Sequence, residues 1–232
     1  MPIHAIVFDF DGVLADSERA HAETIRAVAA EHGMPFSSET YENQLIGFDD
    51  TGAFDAVQRL AGQDPDPALT RSMAELKTER FEDLVRSGAV GLYEGAADFV
   101  RRTAERVPVA ICSGAAGNEI RMMIEAAGIA GLFTAVVSAD DVEHSKPDPA
   151  CYRLACDALG KPPADCLAIE DTVVGLTAAR SAGLRVAGVG TSSPRATLEP
   201  LEAFAPTLTG FDPNELLALD PLQDGAANPQ RT

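Results

Sequence analysis

The stretch Ile6-Val7-Phe8-Asp9-Phe10-Asp11-Gly12-Val13-Leu14 decides how this chain is read. Residues 3–8 are β-formers interrupted by His4, and they lead into two carboxylates two residues apart, then a glycine. An apolar approach of this kind is the pattern of a strand buried on both faces, usual in a parallel sheet. Gly12 permits a sharp turn where the strand ends. Asp9 and Asp11 are therefore expected at the carboxyl end of a central strand, the edge where open α/β sheets bind ligands. Two unpaired carboxylates there would be costly. A hard divalent cation removes that cost, and Mg²⁺ typically takes one or two carboxylates with phosphate and water. An Asx-type turn, with Asp11 bonding its own backbone, is the alternative this stretch alone leaves open.

The rest of the chain narrows the choice. At 232 residues it is long enough for a full core and a second, smaller domain. Its formal net charge of −18 argues against a nucleic-acid or anionic-membrane surface. The same charge repels phosphorylated substrates at long range, so a phosphate site must be locally positive. No apolar run reaches transmembrane length, and Met1-Pro2-Ile3-His4 lacks the basic start of a signal peptide. Cys112, Cys151, Cys156 and Cys166 show no CxxC spacing and are expected as reduced, buried thiols of a cytoplasmic protein.

Helical periodicity follows the first strand. Residues 19–32 carry an apolar stripe, with Asp16 or Ser17 as cap and Gly33 as stop. Residues 40–46, 51–61 and 67–86 continue the helical pattern, with no strand-like alternation between them. From Gly91 the pattern becomes alternating: helix 95–106, strand 107–112, helix 118–127, strand 133–138, a helix opened by Asp148-Pro149, strand 166–169, helix 172–182, and a last strand 184–189. Repeated β-α units imply a parallel sheet with right-handed crossovers. The expected fold is α/β: a Rossmann-like doubly wound parallel sheet, residues 1–15 and 91–219, with a helical cap domain inserted at 16–90. Residues 220–232 are expected to be a disordered tail.

Parallel strands bring chemically loaded ends to one edge. Besides Asp9 and Asp11, they offer Ser113 with Gly114 before a helix, a loop Ser145-Lys146-Pro147-Asp148-Pro149, and Glu170-Asp171 directly after Leu167-Ala168-Ile169. Taken singly, Ser113 reads as a helix cap, Lys146 as a solvated loop lysine, and Glu170-Asp171 as acids at a helix start. Together they supply four acids, a lysine, a hydroxyl and an amide cluster, which suits Mg²⁺-dependent phosphoryl transfer to a carboxylate nucleophile.

These residues, in this order and spacing, resemble the four motifs of the haloacid dehalogenase superfamily, in the branch of β-phosphoglucomutase and small-metabolite phosphatases. The resemblance covers residues 3–190. It implies that Asp9 is the nucleophile and that Asp11 is general acid and then general base. It also implies that Asp9, the Asp11 backbone carbonyl, Asp171 and Glu170 (directly or through water) hold Mg²⁺. Ser113, Gly114 and Lys146 would hold the phosphoryl oxygens. Relatives that cleave carbon–halogen or carbon–phosphorus bonds lack the second aspartate, so Asp11 points to phosphate esters.

In the cap, His21, Gly47 and Lys77 fall where the mutase has a helical histidine, a substrate-loop glycine and a cap lysine. His21 and Lys77 read equally well as exposed helix residues. The arginine that anchors a distal phosphate in the mutase is missing: the loop reads Gly47-Phe48-Asp49-Asp50-Thr51. The mutase's Ser-Lys pair is Ala115-Ala116 here. The expectation is a hydrolase of a small sugar or polyol phosphate bearing one phosphate, working as a monomer or weak homodimer. A β-phosphoglucomutase-type mutase and a non-catalytic phosphate-binding module are the alternatives.

Overall fold

The computed structural model describes residues 2–46 and 48–220. Six parallel strands run in the order β3-β2-β1-β4-β5-β6. They are β1 (Ala5–Phe8), β2 (Val109–Cys112), β3 (Phe133–Val137), β4 (Cys166–Glu170), β5 (Arg185–Val189) and β6 (Ala203–Ala205). Strand β1 is central, paired with β2 and β4. Its alternation divides the core. Ile6 and Phe8 point into one apolar cluster with Phe99, Val100, Ile120 and Ile124, while Ala5 and Val7 point into another with Tyr152, Ala155 and Leu176. All four β1 residues are fully buried. Burying each large side chain among them contributes about 1.5–3 kcal/mol against exposure.

The helices that cover the two faces are α5 (Ala96–Ala104) and α6 (Gly117–Ala126) on the first, and α7 (Ala150–Leu159) and α8 (Val173–Ala182) on the second. Between β1 and α5 stand α1 (Glu18–Glu31), α2 (Ser38–Gln44), α3 (Asp50–Leu60) and α4 (Pro67–Arg86). These four hold a third apolar cluster of their own, centred on Ile25, Val28, Phe54, Val57 and Met73. The two chain crossings into and out of this insert run side by side: Asp16 N–H donates to the Gly91 carbonyl at 2.9 Å, and Tyr93 N–H to the Leu14 carbonyl at 2.9 Å. No described helix is long and apolar enough to cross a membrane.

The structure departs from the sequence reading in four places. The strand expected to be last, β5, has a further neighbour: β6 is three residues long, too short to show a period. Two short helices accompany it, α9 (Arg195–Leu198) and α10 (Pro213–Leu217). Helix α7 starts one residue later than expected, with Pro149 at the cap position and Asp148 Oδ1 accepting from the Ala150 N–H at 2.9 Å. Of the four expected thiols, only Cys156 and Cys166 are free and buried. Cys112 and Cys151 are joined as a disulfide with Cα atoms 5.7 Å apart, because the end of β2 meets the first turn of α7. That contact links residues 39 positions apart and leaves no spacing signal. Finally, Ser17 stands at the α1 cap position but makes no side-chain cap bond. Of the expected tail 220–232, residues 221–232 lie outside the described residues, as does the substrate-loop Gly47.

Candidate active site

Strand β1 ends at Phe8, and Asp9 N–H still pairs with the Ile169 carbonyl of β4 at 2.9 Å. The chain then turns through Gly12 at φ +79°, where a side chain would also collide with the Asp171 carboxylate. The turn is closed by Thr191, whose hydroxyl donates to the Gly12 carbonyl at 2.5 Å. Asp9 and Asp11 thereby face one cavity from the carboxyl edge of the sheet.

Three acids gather there. Asp9, Glu170 and Asp171 each place a carboxylate oxygen within 4.8 Å of the others. Lys146 crosses from the loop before α7 and binds the cluster: its Nζ donates to Asp9 Oδ1 at 2.8 Å, Glu170 Oε1 at 2.7 Å and the Cys112 carbonyl at 3.0 Å. The Lys146–Pro147 peptide is cis. Tyr152 adds a hydroxyl donated to Glu170 Oε1 at 2.6 Å. Asp171 Oδ1 is buried with no hydrogen-bond partner.

The electrostatics are those of a site short of positive charge. Burial, then Glu170 and Asp11, push the Asp9 carboxyl up to about 7 against the pull of Lys146. Burial and Asp9 push Asp171 well up too. Lys146 is held above its usual range: burial works against its charge, but Asp9 and Glu170 outweigh it. An all-oxygen donor set, an orphaned buried carboxylate oxygen and acids forced toward protonation are what a hard divalent cation satisfies. The cluster can therefore hold a metal ion.

Asp11 is held differently. Its Oδ1 accepts a short hydrogen bond from Ser17 and faces His21 Nε2 at 3.3 Å, and Ser113 Oγ lies 3.4 Å from Oδ2. Burial pushes this carboxyl up, but the His21 charge and the bonds from His21 and Ser17 outweigh it and hold it at about 2. For His21, burial and Lys77 work downward, and Asp11 reverses them to a net rise. The Asp11–His21 contact thus favours the charged form of both groups. His21 in turn stacks on Phe81 with centroids 4.0 Å apart.

The cavity encloses about 90 Å³. It brings together Asp9, Asp11, His21, Lys77, Ser113, Gly114, Lys146 and Asp171 of the residues singled out from sequence, with Glu170 behind Lys146. His21 and Lys77 are buried, not the exposed helix residues that was one reading of each. Other residues at the site were given no contact by the sequence reading. Glu18 accepts from the Tyr41 hydroxyl at 2.8 Å. Asp49 caps α3 through the Gly52 N–H at 2.6 Å and also accepts a short bond from Ser145 in the Lys146 loop. Glu119 meets Lys77 from α6. Asp49 had the local signal of a helix cap, and Glu18 and Glu119 that of first-turn acids, but none of these signals points across the cleft.

Such an edge, with an acid-bearing β1 turn, a hydroxyl, a lysine and a second acid pair, defines a hydrolase of phosphate esters. Residues 3–183 match the family of haloacid dehalogenase-like hydrolases. The chain is 32% identical over 192 residues to protein CbbY of Rhodobacter capsulatus, covering 80% of this chain and 85% of that one. It is 29% identical over 179 residues to the fructose-1-phosphate phosphatase YqaB of Escherichia coli, covering 77% and 92%. The crystal structure of CbbY from Rhodobacter sphaeroides with phosphate superposes with a TM-score of 0.79 at 28% identity, over 89% of this chain and 95% of that one. The chain belongs to the haloacid dehalogenase-like hydrolases, and within them it is a phosphatase, a phosphoric monoester hydrolase.

Proposed function

We propose that this phosphatase is Mg²⁺-dependent and hydrolyses a small sugar or polyol phosphate through an aspartyl phosphate on Asp9. The observation that carries the proposal is the pairing of two carboxylates with opposite environments on one turn: Asp9 in the acid cluster under Lys146, Asp11 clamped by Ser17 and His21. Pairs of titratable groups driven apart by their surroundings mark divided roles.

Asp9 attacks phosphorus, and the bond from phosphorus to the ester oxygen breaks. The proton that oxygen needs comes from the Asp11 Oδ1–His21 Nε2 pair. Asp11 then takes a proton from water, which attacks the acyl phosphate and releases phosphate, restoring Asp9. Ser113 Oγ, the Gly114 N–H and Lys146 Nζ hold the phosphoryl oxygens. When bound by Asp9, Asp171, the Asp11 carbonyl and Glu170, Mg²⁺ neutralises charge on the phosphoryl group. The insert, residues 16–90, acts as a cap domain on a core of residues 1–15 and 91–219, and its closure keeps bulk water from the transfer step.

One CbbY structure from Rhodobacter sphaeroides holds xylulose 1,5-bisphosphate. Here the far side of the cavity carries Glu18, Asp49 and Asp50, which favours a body with hydroxyl donors over a second phosphate. The same acids weigh against a mutase, which must bind its bisphosphate in both orientations.

The test is phosphate release from a panel of sugar and polyol monophosphates, with Mg²⁺ and with EDTA, on wild type and Asp9→Asn. Mg²⁺-dependent release that vanishes in Asp9→Asn is expected. Release that survives in Asp9→Asn refutes the aspartyl-phosphate route, and release that survives EDTA refutes the metal.

A further inference from the structure

Among the described residues that line the cavity, Lys77 is the cation that no step above uses. It sits on α4, fully buried, with Nζ 2.9 Å from Asp50 Oδ2 and 3.2 Å from Glu119 Oε1. Asp50 opens α3 in the insert, whereas Glu119 stands on α6, directly behind the Ser113 loop. One ammonium therefore bridges two carboxylates from opposite sides of the cleft, 4.7 Å above the Phe81 ring. Glu119 is also fully buried, and its second oxygen, Oε2, has no hydrogen-bond partner. Next to it, Asn118 donates a short bond to Glu82 of α4, so the same seam fixes the backbone of Glu119.

A buried carboxylate with one oxygen orphaned is an expensive arrangement to keep. Its effect on binding follows from which cations face the cavity. Among the described residues that line it, the cations are Lys146, His21 and Lys77. Lys146 is engaged by Asp9 and Glu170, and His21 by Asp11. Lys77 is the remaining candidate to receive a second phosphate, and it already has two anions. Arg59 and Arg71 line a separate outer cleft beyond Asp49 and Asp50.

We propose that Glu119 is a specificity-determining residue: with Asp50 it occupies Lys77 as an internal anion, and so confines the enzyme to substrates with a single phosphate. Glu119 touches no reacting atom; it acts through Lys77. Selection of this kind works by repulsion, because a second phosphate must displace a bound carboxylate and then lie beside it. Burial raises the Glu119 carboxyl, and the charges of Lys77 and His21 pull against that rise. The proposal rests on the phosphatase reading, and deepens it.

The experiment compares Glu119→Gln, Glu119→Asp and Asp50→Asn with wild type, as full chains with Mg²⁺. Each is assayed for kcat/KM on the preferred sugar or polyol monophosphate and on the same compound phosphorylated at its far end as well. Wild type is expected to prefer the monophosphate by about 100-fold or more, and Glu119→Gln to narrow that ratio about tenfold, chiefly through KM for the bisphosphate. Asp50→Asn moves the ratio the same way, and Glu119→Asp restores it. A defect in folding alone lowers both activities and leaves the ratio where it was. If Glu119→Gln does not fold, Asp50→Asn carries the test. The proposal is overturned if wild type accepts both compounds alike, or if neither charge-removing variant shifts the ratio while wild type is active. A wild type that releases no phosphate from any compound removes the phosphatase reading itself.

Discussion

Metal removal should make the stability of this enzyme depend on pH in a specified direction. Asp9, Glu170 and Asp171 crowd within 4.8 Å, with Lys146 as their counter-charge. Burial and Glu170 raise the Asp9 carboxyl from 3.8 to about 7. A carboxyl whose folded pKa lies above its unfolded one binds its proton more tightly in the native state. Its contribution to stability is therefore complete below the unfolded value and lost as pH climbs through the folded one. Three units or so at about 1.4 kcal/mol each set the loss near 4 kcal/mol between about pH 4 and pH 7. Asp171, also raised by burial and Asp9, adds in the same direction. For a chain of this length about 2–4 °C of Tm accompanies each kcal/mol, so the metal-free protein should lose roughly 8–16 °C through this cluster.

A divalent cation takes the place of those protons. Saturation at about 100 times Kd adds about 2.7 kcal/mol to the folded state, comparable to the loss it offsets. Thermal melts followed by circular dichroism, in EDTA and in excess MgCl₂, should coincide near pH 4.5 and separate above about pH 7 by roughly 5–10 °C. A gap that is constant across this range would show that the metal does not bind the titrating carboxylates. No gap near pH 8 would remove the metal site altogether.

Three further outcomes follow from the same geometry. Asp11→Asn removes a proton carrier but keeps the backbone carbonyl, so kcat should fall by about 10²–10⁴-fold while the Mg²⁺-induced rise in Tm persists; loss of that rise would assign the Asp11 side chain to the metal. Lys146→Met leaves three buried acids without their counter-charge and should cost about 3–5 kcal/mol in EDTA at neutral pH, with less loss near pH 4.5 where the acids hold protons; equal losses at both pH values in paired melts would contradict this. Gly175 of α8 lies so close to Glu170 that a methyl group would overlap its carboxylate. Gly175→Ala should therefore lower Tm by an amount matching about 1–3 kcal/mol and weaken Mg²⁺ binding measured by calorimetry; unchanged affinity would mean that Glu170 moves aside without consequence.

The parts of this molecule legible in its sequence are those set by local pattern. The apolar run into Asp9 and Asp11 marks a buried strand and its end. Pro67 sets the start of α4, and the helical period sets the other long elements within a residue or two. What local pattern cannot carry is the identity of a partner across the cleft. Ser17 has the composition of a helix cap and occupies that position, yet its hydroxyl is turned to Asp11, where the acceptor is charged. Glu119, in the first turn of an amphipathic helix, has the signature of an acid favoured by the helix dipole; its burial arises because α4 lies over it. Tyr152 is indistinguishable in sequence from any core aromatic of α7, and only the fold shows its hydroxyl on Glu170. The Cys112–Cys151 contact is likewise made by β2 meeting α7, not by any spacing.

The charge distribution of the cavity bears on why one phosphate, and one orientation, should suffice. At the strand edge four acids, Asp9, Asp11, Glu170 and Asp171, face Lys146, His21 and the proposed Mg²⁺. Those cations offset the acids, so a phosphate arriving there meets donors and positive charge. At the other side Glu18, Asp49, Asp50 and Glu119 outnumber Lys77 four to one. The resulting field points one way along the cavity: anions are drawn to the sheet edge and donors to the cap side. A substrate with a single phosphate and a hydroxylated body has one favourable pose in such a field, and the reversed pose sets its phosphate among carboxylates. Turnover to free phosphate needs only that pose. Returning the phosphate to a different oxygen of the same molecule needs both, and the protein has spent its cap-side cation on its own acids.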